Sequence, residues 1–251
     1  MDILDSLLPI RAKAVTLRAD DGVELAGFHA HAEGSKRLVI VVHGLRRSHL
    51  AMVGRWEAVF PDLASVFFLD LRGHGLSSRR SLVTFGDREA RDIKAAMDHF
   101  KNEYETIILW GHSMGAAASL KYAGNGGKPS ALILEGMYHS FDDAIDVRAN
   151  LWHTPKYPAV PLIKFIFRHL MRIDFNGLTM PPILKRLTDM PILLVQSRED
   201  EKVPMTSFEE LRRALGPRGK AIVFEQGNHD SIYRTNREAY IRAVREFIEN
   251  I

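Results

Sequence analysis

The stretch Gly111-His112-Ser113-Met114-Gly115 follows directly on the apolar run Thr106–Trp110 and is followed by the small residues Ala116–Ala118. A serine flanked this way by glycines, between a strand and a helix, is typical of a tight turn that projects a nucleophilic hydroxyl. Larger side chains at the two glycine positions would collide with neighbouring backbone. The stretch therefore predicts an α/β fold and makes Ser113 a candidate nucleophile. A glycine-rich turn with a capping serine is the alternative.

Six short apolar runs predict the strands of a parallel sheet. They are Leu38–Val42, Val66–Leu69, Ile107–Trp110, Leu132–Leu134, Ile192–Val195 and Ile222–Phe224. Strands that are apolar on both faces belong to a parallel sheet covered by helices on either side. Helical patterns such as Asp87–Lys101, Ser113–Tyr122 and Arg237–Ile248 alternate with these runs. This alternation predicts a doubly wound α/β domain.

The N-terminal part and one long connection complete the expected fold. Two alternating segments, Val15–Arg18 and Val23–Ala30, flank the turn sequence Asp20-Asp21-Gly22 and predict an antiparallel hairpin. We therefore expect a mostly parallel eight-stranded sheet, with helices on both faces, in a single domain spanning 1–251. The stretch Gly136–Met190 is too long for a structureless loop, so we expect an inserted helical cap at residues 141–189.

Composition excludes several classes of function. The 34 basic and 31 acidic side chains are interspersed and leave a net charge of +3, so nucleic acid is not an expected partner. The chain has no cysteine, which removes disulfides, thiolate nucleophiles and Cys-ligated zinc. No metal or other cofactor is expected, because there is no H-E-x-x-H motif. His29 and His31 share a strand face, which is more typical of a solvated hairpin than of a ligand pair.

The N-terminal residues and the length of the apolar runs bear on where the protein is located. Met1–Ile10 carries two aspartates and no basic segment ahead of its leucines. No run approaches the roughly 18 apolar residues of a membrane span. We therefore expect a cytoplasmic protein without a transmembrane segment.

A second motif, His43-Gly44-Leu45, directly follows the strand Leu38–Val42. A loop at this point can direct a backbone N–H towards the serine turn. Together with the N–H of Met114, the N–H of Leu45 would then form an oxyanion hole. The alternative is a strand that simply ends in a glycine turn.

A third motif, Asp70-Leu71-Arg72-Gly73-His74-Gly75-Leu76-Ser77, follows the strand Val66–Leu69. With this motif the chain resembles the α/β-hydrolase superfamily, particularly its carboxylesterase and lysophospholipase-like members, from the hairpin to the last helix. The resemblance implies that the motif shapes the loop beneath the active site. It also implies that Asp70, Arg72 and His74 support the site and take no part in the chemistry.

The same resemblance implies the acid and the base of a catalytic triad. Asp200 occupies the acid position of an S-x-x-D-x-x-V-P pattern at Ser197–Pro204. His229 follows the last strand, just ahead of the closing helix, so the chain order is Ser, Asp, His. Glu199 and Glu201 are competitors for the acid role. Alternatively, all three acids form a solvated turn that caps the next helix.

The substrate pocket is sought in the cap, where Val160–Ile173 predicts an amphipathic helix. Lys164, Arg168 and Arg172 lie on one face of it, at i, i+4 and i+8. The apolar side either forms a roof over an acyl pocket, which can also touch a membrane, or packs on the core domain. The residues expected at the substrate are His112, Trp152, Phe165 and Phe167.

These residues together predict a serine hydrolase that cleaves small-molecule carboxylic esters or thioesters of short to medium apolar acyl chains through an acyl-enzyme. A ligand-binding protein of the same fold with vestigial turnover is one alternative. An amidase or peptidase is another, but a peptidase would need carboxylates in the cap to hold a free amino group. No acidic residue occurs between Leu151 and Met171. The sequence does not indicate the oligomeric state.

Overall fold

The structure is a computed structural model that describes residues 11–251, so the expectation drawn from Met1–Ile10 lies outside the described residues. Eight strands form its centre. They are β1 (Lys13–Arg18), β2 (Glu24–Ala30), β3 (Arg37–Val42), β4 (Ser65–Leu69), β5 (Thr106–His112), β6 (Ala131–Glu135), β7 (Ile192–Ser197) and β8 (Lys220–Phe224).

The strands make one sheet in the order β1-β2-β4-β3-β5-β6-β7-β8. The hairpin β1–β2 and the pair β2–β4 are antiparallel, and every other neighbouring pair is parallel. The predicted fold, with its N-terminal hairpin and eight strands, is confirmed.

Helices follow most of the strands. They are α1 (His49–Met52), α2 (Glu89–Phe100), α3 (Met114–Gly124), α4 (Phe141–Leu151), α5 (Ala159–Phe165), α6 (Met180–Arg186), α7 (Met205–Leu215), α8 (Ile232–Thr235) and α9 (Arg237–Glu249). None of the helices within residues 11–251 is both long and apolar enough to cross a membrane.

Strand β3 explains why the apolar runs are continuous. Leu38, Ile40 and Val42 pack in a core that includes side chains of α2 and α3. Val39 and Val41 pack in a second core that includes side chains of α9. Because both faces of the strand are covered, alternation between apolar and polar residues is lost.

The sheet register brings the ends of three strands together. Val42 of β3 pairs with Leu69 of β4 on one side and with Gly111 of β5 on the other. The loops that leave β3, β4 and β5 therefore lie side by side at the carboxyl edge of the sheet, which is where open α/β sheets place their sites.

The connection between β6 and β7 is helical, and the helix expected over Val160–Ile173 forms only as far as Leu170. Helix α5 ends at Phe165 and continues only as a π-helical turn over Ile166–Leu170. Arg172 has φ 54° and lies beyond this turn, so it does not extend a helical face.

The polar side of α5 meets another helix. Lys164 lies 2.7 Å from Asp142 and 2.8 Å from Asp146, both on α4. Arg168 lies 4.0 Å from Asp142 and places its guanidinium over the ring of Phe175. Lys164 and Arg168 therefore bind α5 and the turn after it to α4 and to Phe175.

Candidate active site

Ser113 occupies a strained turn between β5 and α3. Its φ of 53° and ψ of −116° are outside the regions that a side chain normally permits. A Cβ at Gly111 would lie 2.5 Å from the backbone of Ala116, and one at Gly115 would lie 2.4 Å from the carbonyl oxygen of Val42. Both glycines are therefore needed for the turn, for the steric reason that the sequence suggested.

A histidine and an aspartate meet beside this turn. Nδ1 of His229 lies 2.8 Å from Oδ2 of Asp200. The other carboxylate oxygen of Asp200 accepts from the backbone N–H groups of Lys202, at 2.9 Å, and Val203, at 2.8 Å. His229 and Asp200 are both buried. The two backbone donors fix the carboxylate, and the carboxylate in turn orients the imidazole.

The two competing acids make different contacts. Glu199 accepts from the backbone N–H of Gly227 at 2.8 Å. Glu201 accepts from the backbone N–H of His229 at 3.3 Å. Both glutamates thus hold the backbone of the loop, whereas only Asp200 meets the imidazole ring.

Ser113 lies where two cavities meet. One, of about 430 Å³, is lined by Ser113, His112 and His229 among others. The other, of about 580 Å³, is lined by Ser113, by Phe167 and by further apolar residues. Trp152 contributes to both cavities. Of the side chains expected at the substrate, His112, Trp152 and Phe167 are therefore brought to the cavities beside the serine.

Phe165 is not brought there. It lines neither cavity, its ring packs against His169 and 54% of it is exposed. Residues two apart on a helical turn point to different sides, so Phe165 and Phe167 do not face the same space. The amphipathic pattern alone did not distinguish the two.

The loop after β3 packs directly on the serine turn. A Cβ at Gly44 would lie 2.8 Å from Nδ1 of His112 and 3.2 Å from Cβ of Ser113. The next residue, Leu45, lines both cavities. Met114 is the first residue of α3, and its N–H therefore has no acceptor one turn back in the helix.

Residues 33–165, more than half of the chain, match the model of a family described as serine aminopeptidase, S33. The chain belongs to this family. It is thus a member of the α/β-hydrolase superfamily. Residues 175–250 match a second family model, described as TAP-like protein.

Individual relatives agree with this assignment. The chain is 26% identical over 260 residues to an uncharacterized protein of Bacillus subtilis (strain 168), YqkD, with 100% of this chain and 83% of that protein covered. The esterase Pf2001 of Pyrococcus furiosus superposes with a TM-score of 0.78 at 19% identity, covering 100% of this chain and 96% of that one. An esterase of Exiguobacterium antarcticum gives 0.69 at 18% identity, with 94% and 99% covered. At these identities the solved structures establish the shared fold.

In this hydrolase the Asp70–Ser77 motif supports the loop after β3. Nε2 of His74 accepts from the backbone N–H of Arg46 at 3.0 Å. Asp70 accepts from both the backbone N–H and Nδ1 of His49, at 2.7 and 2.9 Å. Arg72 is buried and pairs with Asp92. These side chains bind one another and the backbone, and none of the three lines either cavity beside Ser113.

A buried ion pair under the site could not be predicted from the sequence. Glu135, at the end of β6, lies 2.7 Å from Nη2 of Arg55 and accepts from the Tyr240 hydroxyl at 2.7 Å. Burial alone would raise the pKa of Glu135, but the charge of Arg55, together with the hydrogen bonds from Arg55 and Tyr240 and the nearby His112, outweighs burial and holds that pKa at about 2. These partners are 80 and 105 positions from Glu135 along the chain, so no local pattern connects them.

His112 lies next to this buried ion pair. Burial lowers the pKa of His112 to about 4, so the ring is neutral at neutral pH. Its Nε2 lies 3.0 Å from the carbonyl oxygen of His229 and 4.0 Å from Oε1 of Glu135. A neutral ring that donates from Nε2 to this carbonyl helps to fix the backbone that carries His229.

Basic side chains line the smaller cavity. None of them was among the site residues expected from the sequence. Arg148 of α4 lines both cavities. Arg47 lies 2.9 Å from Asp230, which also pairs with Lys202. Only the folded arrangement of separate segments reveals this polar entrance.

Proposed function

We propose that this hydrolase cleaves small-molecule carboxylic esters, thioesters included, through Ser113, His229 and Asp200. One observation carries the proposal. The strained serine shares a cavity wall with His229, and Nδ1 of that histidine is already bound to Asp200. Nε2 is therefore the ring nitrogen left to act on the serine hydroxyl.

In the proposed mechanism, His229 takes the proton of the Ser113 hydroxyl while the serine oxygen attacks the ester carbonyl. The N–H groups of Met114 and Leu45 stabilise the oxyanion, each by roughly 2.7 to 4 kcal/mol. Asp200 stabilises the imidazolium that forms. His229 then returns its proton to the leaving alcohol or thiol, and water resolves the acyl-enzyme with the same histidine as base.

The larger cavity is assigned to the acyl chain. Apart from Ser113, Arg46, Arg148 and Thr154, its lining is apolar or aromatic, and it includes Val83, Phe85, Phe141, Ile145, Ile163, Phe167 and Met171. About 580 Å³ falls in the usual range for small-molecule sites, and an apolar lining favours an apolar acyl group. The smaller cavity, with His112, Arg148 and Lys202, takes the leaving group. We therefore expect short to medium acyl chains.

The family description raises the aminopeptidase alternative, which requires a carboxylate for the substrate's free ammonium group. The larger cavity, as bounded by residues 11–251, has no aspartate or glutamate in its lining. The smaller cavity has Asp230, which is already paired with Arg47 and Lys202. This charge distribution favours an ester over an amino-terminal peptide.

We also propose that residues 141–189 act as a cap that contacts membranes peripherally. Large apolar side chains are exposed on it: Trp152, Tyr157, Leu162, Phe165 and Leu170. Lys156, Arg168 and Arg172 lie in the same segment, which has no acidic residue from Leu151 to Met171. Exposed aromatic and leucine side chains beside basic ones suit an anionic lipid surface. A cytoplasmic location stays a prediction from the sequence.

Labelling with a fluorophosphonate probe tests the proposed nucleophile. We expect one labelled site per chain, at Ser113, and neither labelling nor hydrolysis of p-nitrophenyl hexanoate in Ser113→Ala. Ser81→Ala, outside the cavities, serves as the control and should behave as the wild type. A folded wild type that binds a fatty acid without being labelled would favour the ligand-binding alternative. Faster cleavage of an amino-acid amide than of the ester would favour the aminopeptidase.

A further inference from the structure

Two histidines and a glutamate converge at the edge of the sheet far from Ser113. One ligand atom from each of His29, His31 and Glu103 lies within 4.8 Å of the other two. We propose that these three residues bind a divalent transition metal ion, with Zn²⁺ as the best-suited ion. From the sequence, the two histidines were more typical of a solvated hairpin than of a ligand pair.

The location follows from the strand register. Strand β2 runs antiparallel to β4, and its last residue, Ala30, pairs with Val66 near the start of β4. Glu103 precedes β5, which begins at Thr106. The cluster therefore lies at the amino edge of the parallel strands, whereas Ser113 lies at the carboxyl edge. A metal ion there would join the end of the hairpin to the loop between α2 and β5.

The hydroxyl of a buried tyrosine lies within hydrogen-bond distance of both imidazoles. The Tyr104 hydroxyl lies 2.8 Å from Nε2 of His29 and 3.1 Å from Nδ1 of His31. The ring of His29 also packs against Phe100, with 5.0 Å between the ring centroids. With Nε2 of His29 and Nδ1 of His31 bound to Tyr104, Nδ1 of His29 and Nε2 of His31 are the ring nitrogens left for a metal ion. A hydrogen-bonded partner on the opposite ring nitrogen is the usual way in which a metal-binding histidine is oriented.

The charge state of the donors suits a metal ion. A metal ion binds imidazole in its neutral form and carboxylate in its charged form. Glu103 takes part in none of the ion pairs found within residues 11–251. Lys13, the cross-strand partner of His29, and His99 also act on this histidine and oppose a cation. We therefore expect moderate affinity.

The donor set selects the class of ion. Two imidazoles and one carboxylate, completed by water, match the tetrahedral coordination of Zn²⁺ at about 2.0 to 2.2 Å. Calcium and magnesium prefer sites made of oxygen atoms alone. His31 and Glu103 are both exposed, so their side chains are free to close the remaining distance.

Calorimetric titration of the untagged, chelator-treated protein with ZnCl₂ tests the site. We expect one Zn²⁺ per chain, and at least about a tenfold loss of affinity in His31→Ala and in Glu103→Gln. Both substitutions are at exposed positions, and circular dichroism verifies the fold. His169→Ala removes an exposed histidine from the cap and should leave the affinity unchanged.

Thermal unfolding supplies a second readout that is independent of turnover. ZnCl₂ should raise the Tm of the wild type and of His169→Ala by more than that of His31→Ala at the same concentration, and MgCl₂ should raise none of them. Absence of stoichiometric Zn²⁺ binding by the wild type would overturn the proposal. Equal affinity in the wild type, His31→Ala and Glu103→Gln would overturn it as well, because the ion would then bind elsewhere.

Discussion

At the scale of residues, the candidate site combines a strained backbone at Ser113 with a hydrogen bond between His229 and Asp200. A non-glycine residue in the conformation of Ser113 costs on the order of 1 to 3 kcal/mol, which the surrounding structure must offset. The glycines at 111 and 115 remove the clashes that would make the turn impossible. Asp200 and His229 supply the hydrogen bond, and the proposed roles of both can be tested separately from those of their neighbours.

Three adjacent acids allow a sharp test of the proposed triad. In Asp200→Asn the side chain no longer stabilises the imidazolium and can favour the wrong tautomer, so kcat on a p-nitrophenyl ester should fall by roughly 10⁴. Glu199→Gln and Glu201→Gln should stay within a few-fold of the wild type, because these side chains bind loop backbone. A large loss in Glu199→Gln beside a mild one in Asp200→Asn would show that Glu199, and not Asp200, is the acid of the triad.

The sequence could nominate those candidate residues whose positions follow from local chain order. The serine turn follows a strand, and the candidate base follows the last strand, so chain order suffices to find both. Glu135 shows the opposite case. It is an unremarked acid at the end of an apolar run, and only folding brings Arg55 and Tyr240 to it. Arg148 was overlooked for the same reason.

At the scale of elements, the sheet was predictable and the cap was not. Strands of a doubly wound sheet carry continuous apolar runs because both faces are buried, which makes them visible in the sequence. Helix α5 is shorter than its amphipathic pattern suggested. The partners of Lys164 lie on α4, 18 and 22 residues earlier, and no periodicity within α5 reveals them.

Phe165 and Phe167 provide a matched pair for the acyl cavity. The ring of Phe167 packs near Phe85 and Phe141, at centroid distances of 5.2 and 5.8 Å, on the wall of the larger cavity. Each buried methylene contributes about 0.8 kcal/mol, so kcat/KM of the wild type should rise about tenfold for each two carbons until the cavity is full. Phe167→Ala should move the optimum to longer p-nitrophenyl esters, and Phe165→Ala should not.

A chain-length profile across acetyl to dodecanoyl esters decides this prediction. The packing interpretation of the cap requires that acetyl esters react as fast as hexanoyl and octanoyl esters. It also requires that Phe167→Ala leave the profile unchanged. Either result would assign the larger cavity to something other than the acyl group, without affecting the assignment of Ser113.

At the scale of the whole molecule, buried histidines should make stability depend on pH. Burial lowers the pKa of His29, His43 and His112 to about 4. Below about pH 6.5 the unfolded chain protonates these groups and the folded chain does not, so the free energy of unfolding falls as the pH falls from 7 towards 4. Burial raises the pKa of Asp92 to about 6, which acts in the opposite direction.

The net effect is a loss of stability in acid. Three histidines against one aspartate leave a difference of about two bound protons between the unfolded and the folded chain. Each proton contributes about 1.4 kcal/mol per pH unit where the difference is complete, and less at the partly exposed His29, whose charge is screened by solvent. Urea unfolding of the metal-free protein, followed by tryptophan fluorescence at pH 7, 6 and 5, should show a falling midpoint. A midpoint that stays constant or rises over this range would mean that the histidines are protonated in the folded state.

At the scale of the whole molecule, the proposed cap at residues 141–189 exposes large apolar side chains and also carries basic ones, and vesicle binding tests its proposed contact with membranes. Sedimentation with vesicles of phosphatidylcholine and phosphatidylglycerol at 3:1 should carry the wild type down. Pure phosphatidylcholine or 0.5 M NaCl should weaken binding, because each basic residue near an anionic surface contributes about 1 kcal/mol and salt screens it.

Substitution of paired leucines locates the contact on the cap. Leu162 and Leu170 are 55% and 71% exposed, and Leu50 and Leu76, outside the cap, are 50% and 54% exposed. Changing the first pair to serine should abolish sedimentation, whereas the same change in the second pair should not, because only the first pair lies within residues 141–189, the proposed membrane-contacting segment. Equal loss in both double variants would indicate unspecific adsorption. The wild type could instead fail to bind vesicles and elute as a dimer that the Leu162 and Leu170 double variant converts to a monomer. That result would mean that a second copy of the chain covers these leucines and that the proposed membrane contact is wrong.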